Sequence, residues 1–186
     1  MFLSPSQLDE IGFKTLGKDV LISDKASIYN PHLIEIGDYS RIDDFAILSP
    51  GTSLQIGRNV HIACYVSLIG KGIIIIDDFC GLSGKTSLYS SSDDYSGCFL
   101  TNPTVYKKYT SVCSETTHLK KHVLIGAHSV ILPGSLLDEG SATGAQTLVN
   151  GYLKPWTIYG GTPCKILKER SKQLLDLEKA FLHERP

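Results

Sequence analysis

The sequence predicts an all-β chain wound as a parallel β-helix of hexapeptide repeats, and three observations carry that prediction. Aliphatic residues recur every six positions: Leu16, Ile22 and Ile28, then Ile36, Ile42 and Leu48, then Ile56, Ile62 and Leu68, then Ile76, Leu82 and Leu88. These triplets repeat one another at a step of twenty. Four positions after most anchors stands a small or branched residue, among them Ser40, Ala46, Thr52, Val60, Val66, Cys80 and Thr86. Such a period fits neither an α-helix nor a sustained alternating strand, and self-similarity at a fixed step marks stacked repeats. Three hexads make one triangular coil. Each flat face then turns an aliphatic side chain inward, each corner a small one, and the two spare residues of the twenty bulge at a corner. Stacked coils bury a continuous core and pair their strand edges with one another, which lets a chain of 186 residues be stable.

Residues 1–15 precede the register and predict a short helix after Ser6, with Leu8, Ile11 and Phe13 covering the open end of the first coil. Coils run from about 16 to 88. Residues 89–118 break the hexad rule and are rich in Ser, Asp, Tyr and Thr; long insertions in compact domains are usually functional or disordered. Asn102-Pro103, Gly97, Tyr95, Phe99, Tyr106 and Tyr109 point to an ordered excursion that packs on something. The rhythm returns at Leu119, Ile125, Ile131, Leu137, Thr143 and Val149, giving two more coils. Ile166, Leu167, Arg170, Leu174, Leu175, Leu177 and Phe181 trace one face of a helix, expected to cap the last coil. The expected division is a β-helix domain over 1–165 and a C-terminal helix and tail over 166–186.

Composition excludes several partners. Eighteen basic residues nearly balance nineteen acidic ones, for a net charge of −1, and no basic run suggests nucleic acid. No segment is long and apolar enough to span a membrane, and Met1-Phe2-Leu3-Ser4-Pro5 lacks the features of a signal peptide, so the expected location is the cytoplasm. Cys64, Cys80, Cys98, Cys113 and Cys164 are odd in number and scattered, as expected for reduced thiols. No Cys and His spacing matches a zinc site, and no metal is expected.

Several segments resemble the hexapeptide-repeat acyltransferases with a left-handed β-helix, which include galactoside, maltose and xenobiotic acetyltransferases. The resemblance covers roughly Ile22 to Lys168. It is most specific at Leu124-Ile125-Gly126-Ala127, at Val130-Ile131-Leu132-Pro133-Gly134, and at the ending Pro155-Trp156-Thr157-Ile158-Tyr159-Gly160-Gly161-Thr162-Pro163-Cys164-Lys165-Ile166. The left hand comes from this resemblance alone, since periodicity does not give it. The resemblance implies a homotrimer with acetyl-coenzyme A in a groove between neighbouring subunits. It assigns the groove to Ser83, Gly126, Ala127, Gly144 and Ala145, with Lys165 and Lys168 toward the coenzyme's phosphates. Small residues there suit a pantetheine arm that must reach backbone amides, although coil corners also favour small residues for packing alone. The implied reaction is acetylation of a hydroxyl or amine on a sugar or nucleotide sugar in surface polysaccharide synthesis.

Acyl transfer needs a base for the acceptor's proton and donors for the oxyanion. Relatives place a His early in the loop; here that position falls at Asp93, and no His lies between Tyr89 and Thr117. His61 must point outward if Ile62 points inward, which makes it the first candidate base, with His122, just after the loop returns, the second and His118, ending the loop, also considered. His128 is expected beyond the groove line. Asp93 or Asp94 would orient the base or substrate, and Ser92 and Tyr95 would meet the sugar. Two other classes stay open. A γ-class carbonic anhydrase would gather His61, His118 and His122 on zinc, and a non-catalytic scaffold would explain the missing loop His.

Overall fold

The chain turns at corners that L-residues reach only in the left-handed backbone region. In the computed structural model, which describes residues 1–184, Asn59, Phe79 and His122 take φ of 53°, 58° and 63° at one corner, and Tyr65, Lys85, His128 and Gln146 take φ of 60°, 62°, 58° and 56° at the next. Such residues cost roughly 1–2 kcal/mol apiece. The cost is offset because every corner aligns one short strand with its counterpart in the next coil.

Three parallel sheets result, one per face of the prism. The first stacks seven strands, from Thr15–Leu16 to Tyr152–Leu153. A second stacks seven more, from Leu21–Ile22 to Thr157–Gly160, and the third six, from Ser27–Ile28 to Leu148–Val149. Ile42, Ile62, Leu82 and Ile125 stand in register along the second face and are at most 1% exposed. Leu48, Leu68, Leu88 and Ile131 do the same on the third, each fully buried. Each such side chain contributes about 1.5–3 kcal/mol when removed from water.

The expected inward position of Thr52 is corrected by the structure. Thr52 is exposed, with its hydroxyl donated to the Lys71 carbonyl at 2.5 Å. The spare residues of each twenty-residue coil form the third corner there. They bring Ile34, Leu54 and Ile74 inside instead, each at most 1% exposed.

Helix α1, Pro5–Ile11, starts earlier than Ser6 because Ser4 is the N-cap. Its side chain accepts from the Gln7 amide while the Gln7 side chain accepts from the Ser4 amide. Leu8 enters the core and Ile11 and Phe13 pack against it, as expected. Residues 1–3 also lie on the edge of the first coil, where the Leu3 amide donates to the Ile22 carbonyl at 2.8 Å.

The insertion is shorter than the hexad break implied. Strand Ser87–Tyr89 includes Tyr89, Ser90 is fully buried, and strand Thr117–Leu119 contains His118. Between them Ser91–Ser92 pairs antiparallel with Cys113–Ser114 as the neck of the excursion. Tyr95 and Tyr106 remain 92% and 79% exposed.

The C-terminal expectation also changes. Lys165–Glu169 is an antiparallel strand on the free edge of Thr157–Gly160, so Ile166 and Leu167 are not helical. Arg170 then donates from Nη1 to the carbonyls of His122 at 2.7 Å and Gly140 at 3.0 Å. Helix α2, Leu174–Glu184, does not cap the last coil; it runs back along a flank, with Phe181 edge-on to Phe79. Residues 185–186 of the expected tail lie outside the described residues.

Replacing Ile62 by Ala is expected to cost about 2–5 kcal/mol in urea unfolding. Thr52→Ala, in contrast, should cost less than about 1.5 kcal/mol, since one exposed hydrogen bond is lost.

Candidate functional site

The corner between the second and third faces carries one line of small residues. In register, Ala63, Ser83, Gly126, Gly144 and Gly160 follow the stacked positions Ile62, Leu82, Ile125, Thr143 and Tyr159. The structure therefore brings Ser83, Gly126 and Gly144 together as expected, with Ala127 and Ala145 one residue further on.

Their backbone amides are not free. The Ser83 amide donates to the Ile125 carbonyl at 3.0 Å, Gly126 to Thr143 at 3.0 Å and Gly144 to Tyr159 at 2.8 Å. The next residues behave differently: the amides of Gly84, Ala127 and Ala145 have no hydrogen-bond partner among the described residues. An extended ligand at this corner meets those donors, so Gly84 belongs to the candidate site although the sequence did not single it out.

The glycines divide by what a methyl group would meet. At Gly126 a Cβ would collide with the backbone of Gly144 and Ala145, so coil packing alone demands glycine. At Gly144 the nearest atom would be the Tyr159 carbonyl oxygen at 3.7 Å, an ordinary contact. Its missing side chain leaves space outside the fold rather than within it.

His61 lies on the second face beside Gly81, outward and half-exposed. Its Nε2 is 2.8 Å from Oδ2 of Asp43, whose Oδ1 accepts from Arg41 Nε at 2.6 Å. Partial burial opposes ionisation of Asp43, but the His61 and Arg41 hydrogen bonds hold its carboxyl below the usual range. The ring is thus turned toward the preceding coil, away from Ser83. Asp43, rather than Asp93 or Asp94, is the carboxylate that orients His61. Its signal was present in the twenty-residue step, which puts Asp43, Ala63 and Ser83 in one column.

His122 is removed from the groove. It sits at the other end of the second face, 6% exposed, stacked on Phe79 with Nε2 2.8 Å from Oε2 of Glu178 in α2. It packs the helix against the flank. His118 pairs with Asp77 at 3.0 Å. The three histidines considered for zinc thus engage three separate carboxylates, and among the described residues no cluster of three or more metal-ligating side chains forms. His128, expected beyond the groove line, is at the groove corner, its amide donated to Gly84 at 3.1 Å.

The loop residues gather at the third corner. A cavity of about 690 Å³ between loop and corner is lined by Ser92 and Asp93 together with Lys71 and Lys107. Asp94 does not line it. That carboxylate accepts from the Ser96 hydroxyl at 2.8 Å and the Gly97 amide at 3.2 Å, and the Ser96 bond foremost holds its pKa below the usual value. Tyr95 projects into solvent. Ser83 and Asp93 thus stand at opposite ends of the third face within one chain. Lys165 pairs with Gly160 at the end of the small-residue line, while Lys168 faces Ile158, further along the strand; both are exposed.

No family model matches the chain. It is similar to the dTDP-4-amino-4,6-dideoxy-D-glucose acyltransferase of Escherichia coli, 45% identical over 181 residues covering 97% of this chain and 94% of that protein. Among solved structures, AntD, an N-acyltransferase from Bacillus cereus in complex with dTDP and 3-hydroxybutyryl-CoA, superposes with a TM-score of 0.95 at 45% identity, over 98% of this chain and 97% of that one. A hexapeptide-repeat-containing acetyltransferase from Vibrio cholerae, complexed with acetyl coenzyme A, shares the fold, with a TM-score of 0.60 at 21% identity over 89% of this chain and 75% of that one.

Burial works against ionisation of Glu178, but hydrogen bonds from Lys121 and His122 hold its pKa below the ordinary glutamate value. A carboxyl lowered by folding contributes stability above its unfolded pKa and loses it as pH falls through the folded one. Glu178→Gln should therefore cost roughly 1–3 kcal/mol at pH 7. The gap to wild type should close as pH drops below about 4.3, as read by urea unfolding across that range.

Proposed function

The chain belongs to the hexapeptide-repeat acyltransferases and transfers an acyl group from a coenzyme A thioester, and we propose that its acceptor is the amino group of a nucleotide-linked amino sugar. The E. coli relative acts on dTDP-4-amino-4,6-dideoxy-D-glucose, and a sugar of that kind is the substrate class. Its product would enter surface polysaccharide, and both substrates put the reaction in the cytoplasm.

The observation that carries nitrogen over oxygen is the occupant of the loop. Asp93, at the loop position where the family resemblance leads one to expect a His, lines the loop cavity and makes no side-chain hydrogen bond among the described residues. A hydroxyl ionises far above neutrality, near the value of water, and needs a strong base. An amine, with an ordinary pKa of about 8, supplies its own lone pair and needs only a carboxylate to take the proton released on attack. Two of the solved AntD forms carry substitutions at a serine and at an aspartate ten positions apart, the separation of Ser83 and Asp93 here.

In the reaction the sugar nitrogen attacks the thioester carbonyl carbon. The C–N bond forms, Asp93 takes the nitrogen's proton, and the amide of Gly84, supported by the Ser83 hydroxyl, donates to the oxyanion. The C–S bond then breaks and the thiolate leaves, taking the proton that Asp93 received, which returns the carboxylate to its starting state. The pantetheine arm lies along Ser83, Gly126 and Gly144 on the amides of Ala127 and Ala145, and Lys165, with Lys168 behind it, meets the coenzyme's phosphates. Ser92, which lines the same cavity, flanks the acceptor.

Because Ser83 and Asp93 are at opposite ends of one face, a complete site takes its groove and its loop from two neighbouring copies; the homotrimer that the family resemblance implies would supply that arrangement three times. A second reading keeps His61. With Asp43 it forms a base and orienter pair suited to a hydroxyl acceptor.

Asp93→Asn should lower kcat by more than about a hundredfold with a dTDP-amino sugar, while His61→Gln leaves it nearly unchanged; the reverse pattern would favour the oxygen acceptor. Gly144→Val should weaken coenzyme A binding at least about tenfold without lowering the unfolding midpoint. At a coenzyme A concentration that leaves Gly144→Val largely unsaturated, co-refolding the impaired Asp93→Asn and Gly144→Val chains should raise activity above that of either alone if the site is shared, and give only their average if it is not.

A further inference from the structure

The line of small residues stops abruptly at one end. Followed toward the N-terminus in register, Gly126 gives way to Ser83, Ala63 and Asp43, and in the adjoining column Ala127 gives way to Gly84, Cys64 and Asp44. A Cβ at Gly84 would meet the Cys64 carbonyl oxygen at 3.2 Å and the Cys64 Sγ at 3.5 Å, and nothing from the following coil within 4 Å. The notch left by the missing side chain is thus open toward Ala127 and closed by Cys64. Cys64 carries a free, exposed thiol on a fixed backbone. Its carbonyl accepts from the Lys85 amide at 3.0 Å, and the amide of the next residue, Tyr65, donates to the Asp44 carbonyl at 3.1 Å. Side-chain size at 64 therefore sets the depth of the notch. One coil further on stand two engaged carboxylates, Asp43 with His61 and Arg41, and Asp44 with Ser23 and Lys25.

From this arrangement we infer that the notch at Gly84 receives the acyl group of the donor and that Cys64 limits its length, so that the protein selects short acyl chains. The inference rests on the proposed course of the pantetheine arm and adds to it what the arm carries. With the thioester carbonyl on the Gly84 amide, the arm fills the corner on one side, and the acyl chain leaves along the other, over Ala63 and Cys64. Neighbouring strands of a sheet are about 4.8 Å apart, so one coil separates Gly84 from Cys64 and one more separates Cys64 from the carboxylates. A butyryl chain ends against Cys64. A hexanoyl chain overruns it and lies on Asp43 and Asp44, where apolar carbon displaces water from charged groups without replacing its hydrogen bonds.

Binding of acetyl-, butyryl- and hexanoyl-coenzyme A to full-length wild type, Cys64→Ala and Cys64→Leu is measured by calorimetry, and kcat/KM for the three donors is measured with a dTDP-amino sugar. The unfolding midpoint of each protein shows that it is folded. Wild type should favour butyryl over hexanoyl by at least about tenfold in both measurements. Cys64→Ala should narrow that ratio about tenfold, and Cys64→Leu should disfavour butyryl against acetyl by a similar factor. In wild type, saturating acetyl-coenzyme A should also slow alkylation of Cys64 by iodoacetamide, read by peptide mass mapping, whereas an adenosine bisphosphate without the pantetheine arm should not. Donor ratios that are the same in all three proteins, or alkylation indifferent to acetyl-coenzyme A, overturn the inference. Turnover of the amino sugar with unchanged ratios leaves the acceptor reading standing. The length dependence in binding without turnover of the amino sugar supports the inference and overturns that acceptor.

Discussion

One constraint governs this molecule: each coil must repeat the previous one closely enough that amide meets carbonyl and aliphatic meets aliphatic along the whole axis. The ladder from the Ala63 amide to Leu82, from Ser83 to Ile125, from Gly126 to Thr143 and from Gly144 to Tyr159 is the thread of that repetition at one corner. Residues that join the ladder are spent. Groups that repetition does not consume stay open to a ligand: the corner amides at Gly84, Ala127 and Ala145, and an excursion that departs from the register altogether.

This division explains what could be read from the sequence. The anchors were legible because a fixed interior admits few residue types, and Ile22, Ile42, Ile62, Leu82 and Ile125 proved the spine of one face. The small-residue corner was legible for the same reason, although its pattern mixed two causes. Gly126 is glycine because the next coil would strike anything larger, and Gly144 is glycine without that pressure. Only the distance from each missing methyl to its neighbours separates them.

Side-chain partnerships were not legible, because they depend on where irregular segments return. His122 looked available at its corner; α2 comes back over it and supplies Glu178. Ile166, Leu167 and Arg170 fit a helical stripe, yet the open edge of Thr157–Gly160 offers backbone bonds that a helix would forgo, and the strand forms instead. His61 was rightly placed outward, but its carboxylate partner Asp43 came from the preceding coil rather than from the loop. Adjacent Asp93 and Asp94 looked equivalent in sequence; a local turn through Ser96 and Gly97 occupies one and leaves the other facing the cavity.

A stacked prism has two ends, and each would present bare strand edges to any similar molecule. Here one end is sealed by Leu8 of α1 and by residues 1–3 hydrogen-bonded along Ile22 and Asp24, and part of the other by Lys165–Glu169 folding back antiparallel. These few residues do no chemistry, but they decide that the coils stop. Trimming the first dozen residues would bare the edge of the first coil as a template for another chain, so what these residues hold off is association rather than unfolding.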